Sequence, residues 1–308
     1  MKGQADRPMR GILLMACFCV LAPLGDGLAK LLGESVSLGT LVLTRFAMQV
    51  ALLTPIMLWA MLRMGKGLRL DARLWWFTLA RSALHIIGMW TMFASLQYLP
   101  LADTIAIAFV GPFILLLLGW ALLGEQVGPH RLSACAVGFM GTLLVIQPNL
   151  MSVGLPALLP LLCALTFALF MLVTRVISRD IDAVQLQVVS GAQACLMLLP
   201  VLLIAPHPAF ALALPEGSTL WLLLGFGTLG MLAHLLMTGA LRYAPSATLA
   251  PMQYLEIPVA TVIGWLFFRE LPNGLALAGI MITIGAGLYI ILRERAIAQE
   301  LAQNPQTP

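Results

Sequence analysis

The sequence predicts an all-α integral membrane protein, with ten transmembrane helices arranged as two five-helix halves of opposite orientation. Composition, the placement of the basic residues and an internal repeat each predict it. Of 308 residues, 61% are hydrophobic and 10% are charged, and the mean hydropathy is +0.98. Soluble domains carry about 25% charged residues, so this chain is too poor in charge to cover a water-facing surface of its own size. Its solvent is lipid. A spanning helix needs roughly 20 apolar residues, and ten runs qualify: 11–32, 39–62, 74–97, 101–123, 132–148, 154–175, 185–205, 219–241, 246–268 and 274–292. The fifth run is short, which makes eight or nine spans the alternative count.

Taken in order, span one follows Lys2, Arg7 and Arg10 and runs on to Leu32, too far for a cleaved leader. Span two begins near Arg45 and ends in the basic stretch Arg63, Lys66, Arg69 and Arg73. Span three opens with Trp75 and Trp76, the amphipathic side chains of a membrane interface. Span four contains Pro112 and stops at LGE; span five follows Arg131. Span six ends at Arg175 and Arg179, and span seven at the loop APHPAFALALPEGS. Span eight ends at Arg242, span nine at RE, and span ten at Arg293 and Arg295. The remaining tail, AQELAQNPQTP, is polar and expected to be disordered.

The basic residues fix the orientation. With the N-terminus inside, thirteen of the 17 fall on the cytoplasmic side and only Arg269 on the other, while Lys30, Arg45 and Arg81 lie within or at the end of spans. That asymmetry places both termini in the cytoplasm of a bacterial-type inner membrane. A net charge of +4 and a pI near 9.0 are thereby topology signals. They form no basic patch, which argues against a nucleic-acid partner. The five cysteines, Cys17, Cys19, Cys135, Cys163 and Cys195, sit in apolar runs and read as small packing residues.

Sliding the sequence by 145 residues brings LQYLPLA (96–102) onto LRYAPSA (241–247), and Gly119, Trp120 and Glu125 onto Gly264, Trp265 and Glu270; seven of 30 positions are identical. Five spans per copy is an odd number, so the second copy enters the membrane from the opposite side. The predicted organisation is a cytoplasmic tail 1–10, a first repeat 11–148, a second repeat 154–292 and a cytoplasmic tail 293–308. Inverted repeats of this kind build secondary transporters, whose binding sites lie near the midplane between the halves.

Ten spans, an Arg early in span two, Leu-x-Tyr-x-Pro before span four and an LGE or RE stop at spans four and nine resemble the EamA type of the drug/metabolite transporter superfamily. The resemblance implies a ten-helix bundle around a central cavity, and cargo drawn from metabolites, amino acids and vitamins. Three stretches, PLGDGLAKLL, RSALHIIGMWTMFASLQYLPLADTIAI and YLEIPVATVIGWLFF, look closest to riboflavin or S-adenosylmethionine importers of that family.

Ionisable residues inside a span are costly and usually face a cavity or a partner. Glu256 lies ten residues into span nine, in PMQYLEIP. Pro251 and Pro258 loosen the helix on either side of it, and Gln253 and Tyr254 add polar groups beside it. The alternative is a neutral acid bonded to a neighbouring helix. Asp26 and Lys30 are spaced to pair with each other at i, i+4. Arg45 either closes an ion pair with Asp26 or binds an anionic group. Arg81 and His85 form another i, i+4 set in span three, with Trp90 one turn deeper, a face suited to stacking a flat heterocycle. Packing is the plain alternative. His234 reads as an interhelical hydrogen-bonding residue, and Glu125 and Glu270 as caps of spans five and ten.

An enzyme is disfavoured. There is no His-Glu-x-x-His zinc site, no Gly-x-Ser-x-Gly elbow and no glycine-rich phosphate loop before a lysine. No cofactor or metal is expected. The expected partners are the bilayer and a small-molecule substrate, moved without ATP either inward, with riboflavin the best candidate, or outward, as an amino acid or related metabolite. Eight residues are the candidate site: Glu256, Gln253, Tyr254, Trp90, His85, Arg81, Asp26 and Arg45.

Overall fold

A computed structural model describes residues 7–33, 35–64, 67–68, 70–95, 98, 107–146, 158–205, 207–269 and 274–303. Among them no strand occurs. The helices are α1 (Pro8–Leu32), α2 (Leu38–Met64), α3 (Ala72–Ser95), α4 (Gly111–Leu123), α5 (Pro129–Ile146), α6 (Leu158–Ile177), α7 (Ala183–Ile204) and α8 (Ser218–Tyr243), then α9 (Ser246–Leu249), α10 (Glu256–Phe268) and α11 (Gly274–Gln303). Five of them, α1, α2, α6, α7 and α8, are long and apolar enough to cross a membrane, and Gly111–Leu123 and Leu277–Arg293 are shorter apolar helices. Most of the LQYLPLA stretch, Lys2, Lys66, Arg69 and Glu270 lie outside the described residues.

A lipid solvent inverts the usual rule about surfaces. Large apolar side chains point outward: Trp59 is 62% exposed, Leu203 73% and Trp221 74%. The interior collects hydroxyls and amides instead, among them Thr78, Gln187, Ser190 and Thr238. With lipid as apolar as leucine, helices associate through packing and interhelical hydrogen bonds. The principal pairs are α1 with α8, α3 with α6, α2 with α7, and α5 with α11.

Span nine is not one continuous helix. Between α9 and α10, residues Ala250–Leu255 form a 3-10 turn with Pro251 at its start. Proline supplies no N–H there and breaks the i to i−4 ladder, whereas Pro258 sits in the first turn of α10, where a missing donor costs little. The loop after α7 contains a 3-10 turn at Pro208–Phe210. It is tied to the start of α2, where Thr40 Oγ1 donates to Ala211 O at 3.2 Å and accepts from Ala213 N at 3.2 Å.

Two expectations are corrected. The chain after span ten stays helical as far as Gln303, as part of α11, and residues 304–308 lie outside the described residues. Glu125 does not cap the adjacent helix α5. Gly124 adopts a left-handed conformation (φ 63°) and turns the chain back over the end of α4. The Glu125 carboxylate thereby reaches the start of α9, accepting from Ser246 N (3.1 Å), Ser246 Oγ (2.6 Å) and Ala247 N (2.9 Å). Adjacency in sequence suggested α5; three donors without intrahelical partners at a distant helix start are the stronger attraction.

Candidate functional site

A cavity of about 190 Å³ lies among α1, α2, α3, α4, α6, α8 and α10. Five of the eight candidate residues line it: Asp26, Arg45, His85, Gln253 and Glu256. They come from four helices and the 3-10 turn. The break in span nine turns Gln253 and Glu256 toward the cavity, and both carboxyl-bearing side chains, Asp26 and Glu256, are only partly covered.

Arg45 organises the cavity. Its Nη2 donates to the Gly230 carbonyl and to His234 Nδ1, the latter at 2.6 Å. Glycine is required at position 230, because any Cβ there would overlap the guanidinium. Asp26 acts on Arg45 electrostatically, and Glu256 feels Asp26 in turn. One guanidinium and two carboxyl groups therefore share one apolar chamber. His85 stacks on His234 with ring centroids 4.5 Å apart, and touches Phe46 and Phe170 at 5.0 and 4.5 Å.

Three polar nitrogen atoms of this chamber have no hydrogen-bond partner: Arg45 Nη1, His85 Nε2 and Gln253 Nε2. Their residues are 2%, 3% and 4% exposed. Buried polar atoms are almost always paired, and leaving one unpaired costs about 1–3 kcal/mol. All three residues contribute to the lining of the same cavity. Phe18, Phe109 and Phe167 supply aromatic surface, and Met89 and Met92 supply adaptable apolar surface.

The other three candidate residues are placed elsewhere. Tyr254 is fully buried against α5, its hydroxyl 3.8 Å from Cys135 Sγ and its ring 5.9 Å from Phe109. Trp90 stacks on Phe210 of the loop after α7, at 4.8 Å and 21°. Arg81 lies one helical turn from His85 but outside the cavity, fully buried among neutral groups. It donates to Thr174 Oγ1 (2.8 Å), Ser190 Oγ (2.6 Å) and Thr238 Oγ1 (3.3 Å), and sits 4.4 Å above the Phe170 ring. His234, read from sequence as a structural hydrogen-bonding residue, lines the cavity and orients Arg45. Its signal was an ionisable group in mid-span. Phe18, Phe167 and Cys163 gave none, since each is an ordinary residue of an apolar helix.

Residues 9–147 and 154–293 each match the EamA-like transporter family. The chain is 33% identical over 223 residues to a riboflavin transporter of Rhizobium johnstonii, covering 71% of each chain. It is 27% identical to a riboflavin transporter of Vibrio cholerae, covering 82% of each. A third relative, an S-adenosylmethionine uptake transporter of Rickettsia prowazekii, is 23% identical over 93% of this chain and 94% of that one. A solved crystal structure at 18% identity superposes with a TM-score of 0.71, covering 95% of this chain and all of the other, which places the fold.

Proposed function

Since the chain belongs to the EamA-like transporter family, and so is a membrane transporter and not an enzyme, we propose that its cargo is riboflavin. The cargo is taken up across a bacterial-type inner membrane, with both chain termini in the cytoplasm. The observation that carries this reading is the set of unpartnered nitrogens at Arg45, His85 and Gln253 around one partly aromatic cavity. An isoalloxazine ring offers two carbonyls and ring nitrogens as acceptors on one edge, which suits Arg45 Nη1 and Gln253 Nε2. Its flat face suits Phe18 and Phe167. The ribityl hydroxyls are donors, which suits the carboxylates of Asp26 and Glu256. Names of the riboflavin-transporting relatives support the same cargo.

The mechanism is alternating access without ATP, by two inverted halves exchanging conformations around the cavity. The helix pairs support it. Exchanging the halves turns the pair α1–α8 into α6–α3, and maps α2–α7 onto itself. Repeat mates Phe109 and Tyr254 meet near where such an axis would pass. Glu256 is the candidate to take up and release a proton along with the cargo, because it is a second carboxyl group beside Asp26 in a cavity with one guanidinium.

A second reading has its own observation. One guanidinium facing two carboxylates also suits a zwitterion, so the alternative is export of an amino acid or a related metabolite. Labelled riboflavin uptake decides between them, in a riboflavin-requiring bacterial strain without its own importer. Wild type should accumulate label above vector, and Glu256→Gln should reduce it. Accumulation at vector level, with the protein present in the membrane, rejects riboflavin and sends the test to amino-acid efflux.

A further inference from the structure

At the end of the bundle where α1 begins, Glu125 of the first half is held entirely by the second half. Arg175 Nε lies 3.4 Å from its Oε1, with both side chains 11% exposed. Ser246 and Ala247 donate three hydrogen bonds to the same carboxylate. Arg175 Nη1 also donates to Leu241 O at 2.8 Å, tying the end of α6 to the end of α8. The close approach needs Gly119, where a Cβ would stand 2.8 Å from Glu125 Oε2 and 2.9 Å from Ser246 Oγ.

The elements joined here also line the cavity, at other heights. On α6 the cavity takes Cys163 and Phe167 and the cluster Arg175; on α8 the cavity takes Phe226 to His234 and the cluster Leu241. On α4 the cavity takes Pro112, and Glu125 follows the helix end. We propose that Glu125 and Arg175, with Ser246, form a latch between the halves that closes this end of the transport path and is released when the path opens there. The proposal rests on the alternating-access reading above.

Magnitude distinguishes a latch from a rivet. The Arg81 cluster is wholly buried, and opening it would strand a charge in a dry interior. Glu125 and Arg175 retain access to water, and water entering an opening path would solvate both ions as they part. Each side chain is only 11% exposed and the carboxylate accepts three further hydrogen bonds, so the latch weighs on the balance of states, while its place at the end of the bundle lets water part it.

A native reporter tests this without any cargo. Cys163 lines the cavity, and the other four cysteines are replaced by serine. Oriented vesicles of each polarity are treated with a membrane-impermeant maleimide, and labelling of Cys163 from the latch face is divided by labelling from the opposite face. In Glu125→Gln and Arg175→Gln this ratio should rise about tenfold, the shift produced by removing a bias of one state over the other. Arg175→Lys, which keeps the charge, should stay within about twofold of the parent.

A second variant guards against misfolding. In Glu125→Cys with Ser246→Cys, oxidation to a disulfide should abolish labelling of Cys163 from the latch face, and reduction should restore it. The latch is overturned if both glutamine variants keep the parental ratio, or if the cross-linked protein is labelled from the latch face as before. Labelling of the parent from one face only, under every condition, would instead overturn alternating access. A wrong cargo would leave all of these results unchanged.

Discussion

Arg45 donates to His234 Nδ1 at 2.6 Å across 189 residues of sequence. An arginine has no acceptor, so His234 must offer a lone pair at Nδ1 and carry its proton on Nε2. That single bond fixes the tautomer of one ring and the position of the cation. It leaves Arg45 Nη1 as a buried donor without a protein partner.

Gly230→Ala should therefore disable transport by displacing Arg45. The added Cβ cannot coexist with the guanidinium, and overpacking of this kind costs about 1–3 kcal/mol. Uptake should fall at least as far as in Arg45→Ala, with a lower melting temperature. Normal uptake by Gly230→Ala would show that Arg45 need not be where it is.

Gln253→Ala should separate binding from stability. The residue's Nε2 has no partner in the protein, so removing it sacrifices no internal bond at that atom. Losing one hydrogen bond to cargo, at about 1 kcal/mol, should raise the transport KM roughly fivefold. The melting temperature should stay level or rise. A marked loss of stability with unchanged KM would assign Gln253 to packing.

Arg81→Ala should do the reverse. Its loss removes a charged donor from the hydroxyls of Thr174, Ser190 and Thr238, which keep their backbone partners, and empties the face of Phe170. Losing buried hydrogen bonds from a charged group costs about 1.5–3 kcal/mol. Thermal unfolding in detergent should show a large drop. The protein that remains folded should bind cargo with near-parental affinity.

Glu256→Gln tests proton exchange. Parental uptake should quicken when the side opposite the chain termini is made more acidic, and the glutamine variant, unable to release a proton, should lose that response. Flux measurements in proteoliposomes with an imposed pH gradient read this directly. An equal response in both proteins would remove Glu256 from coupling.

Much of this architecture was legible in the sequence because hydrocarbon imposes simple rules. Span positions follow from the length of apolar runs, and the break at Pro251 from a missing N–H. Mid-span polar and ionisable residues pointed to Asp26, Arg45, His85, Gln253 and Glu256, which line one cavity, and also to Arg81, which does not. The direction a side chain faces was harder to read. A helix surrounded by apolar surroundings on every side has no polar face to give its rotation away, so Trp90 under a loop and Phe167 at the cavity look alike in sequence. Partner choice was also hidden. Glu125 finds Ser246 and Arg81 finds Ser190 across more than a hundred residues, and nothing local encodes either meeting.

The proposal at the centre of this account is that the cavity binds a flavin through the unpartnered nitrogens of Arg45, His85 and Gln253. Its most direct test is equilibrium titration of purified protein with riboflavin, read by quenching of the isoalloxazine fluorescence. The account predicts saturable quenching by the parent, weakened about tenfold by Arg45→Lys, which replaces a planar fork with a point charge. Folded parental protein that leaves flavin fluorescence unquenched, or an Arg45→Lys variant that binds as tightly as the parent, would contradict it.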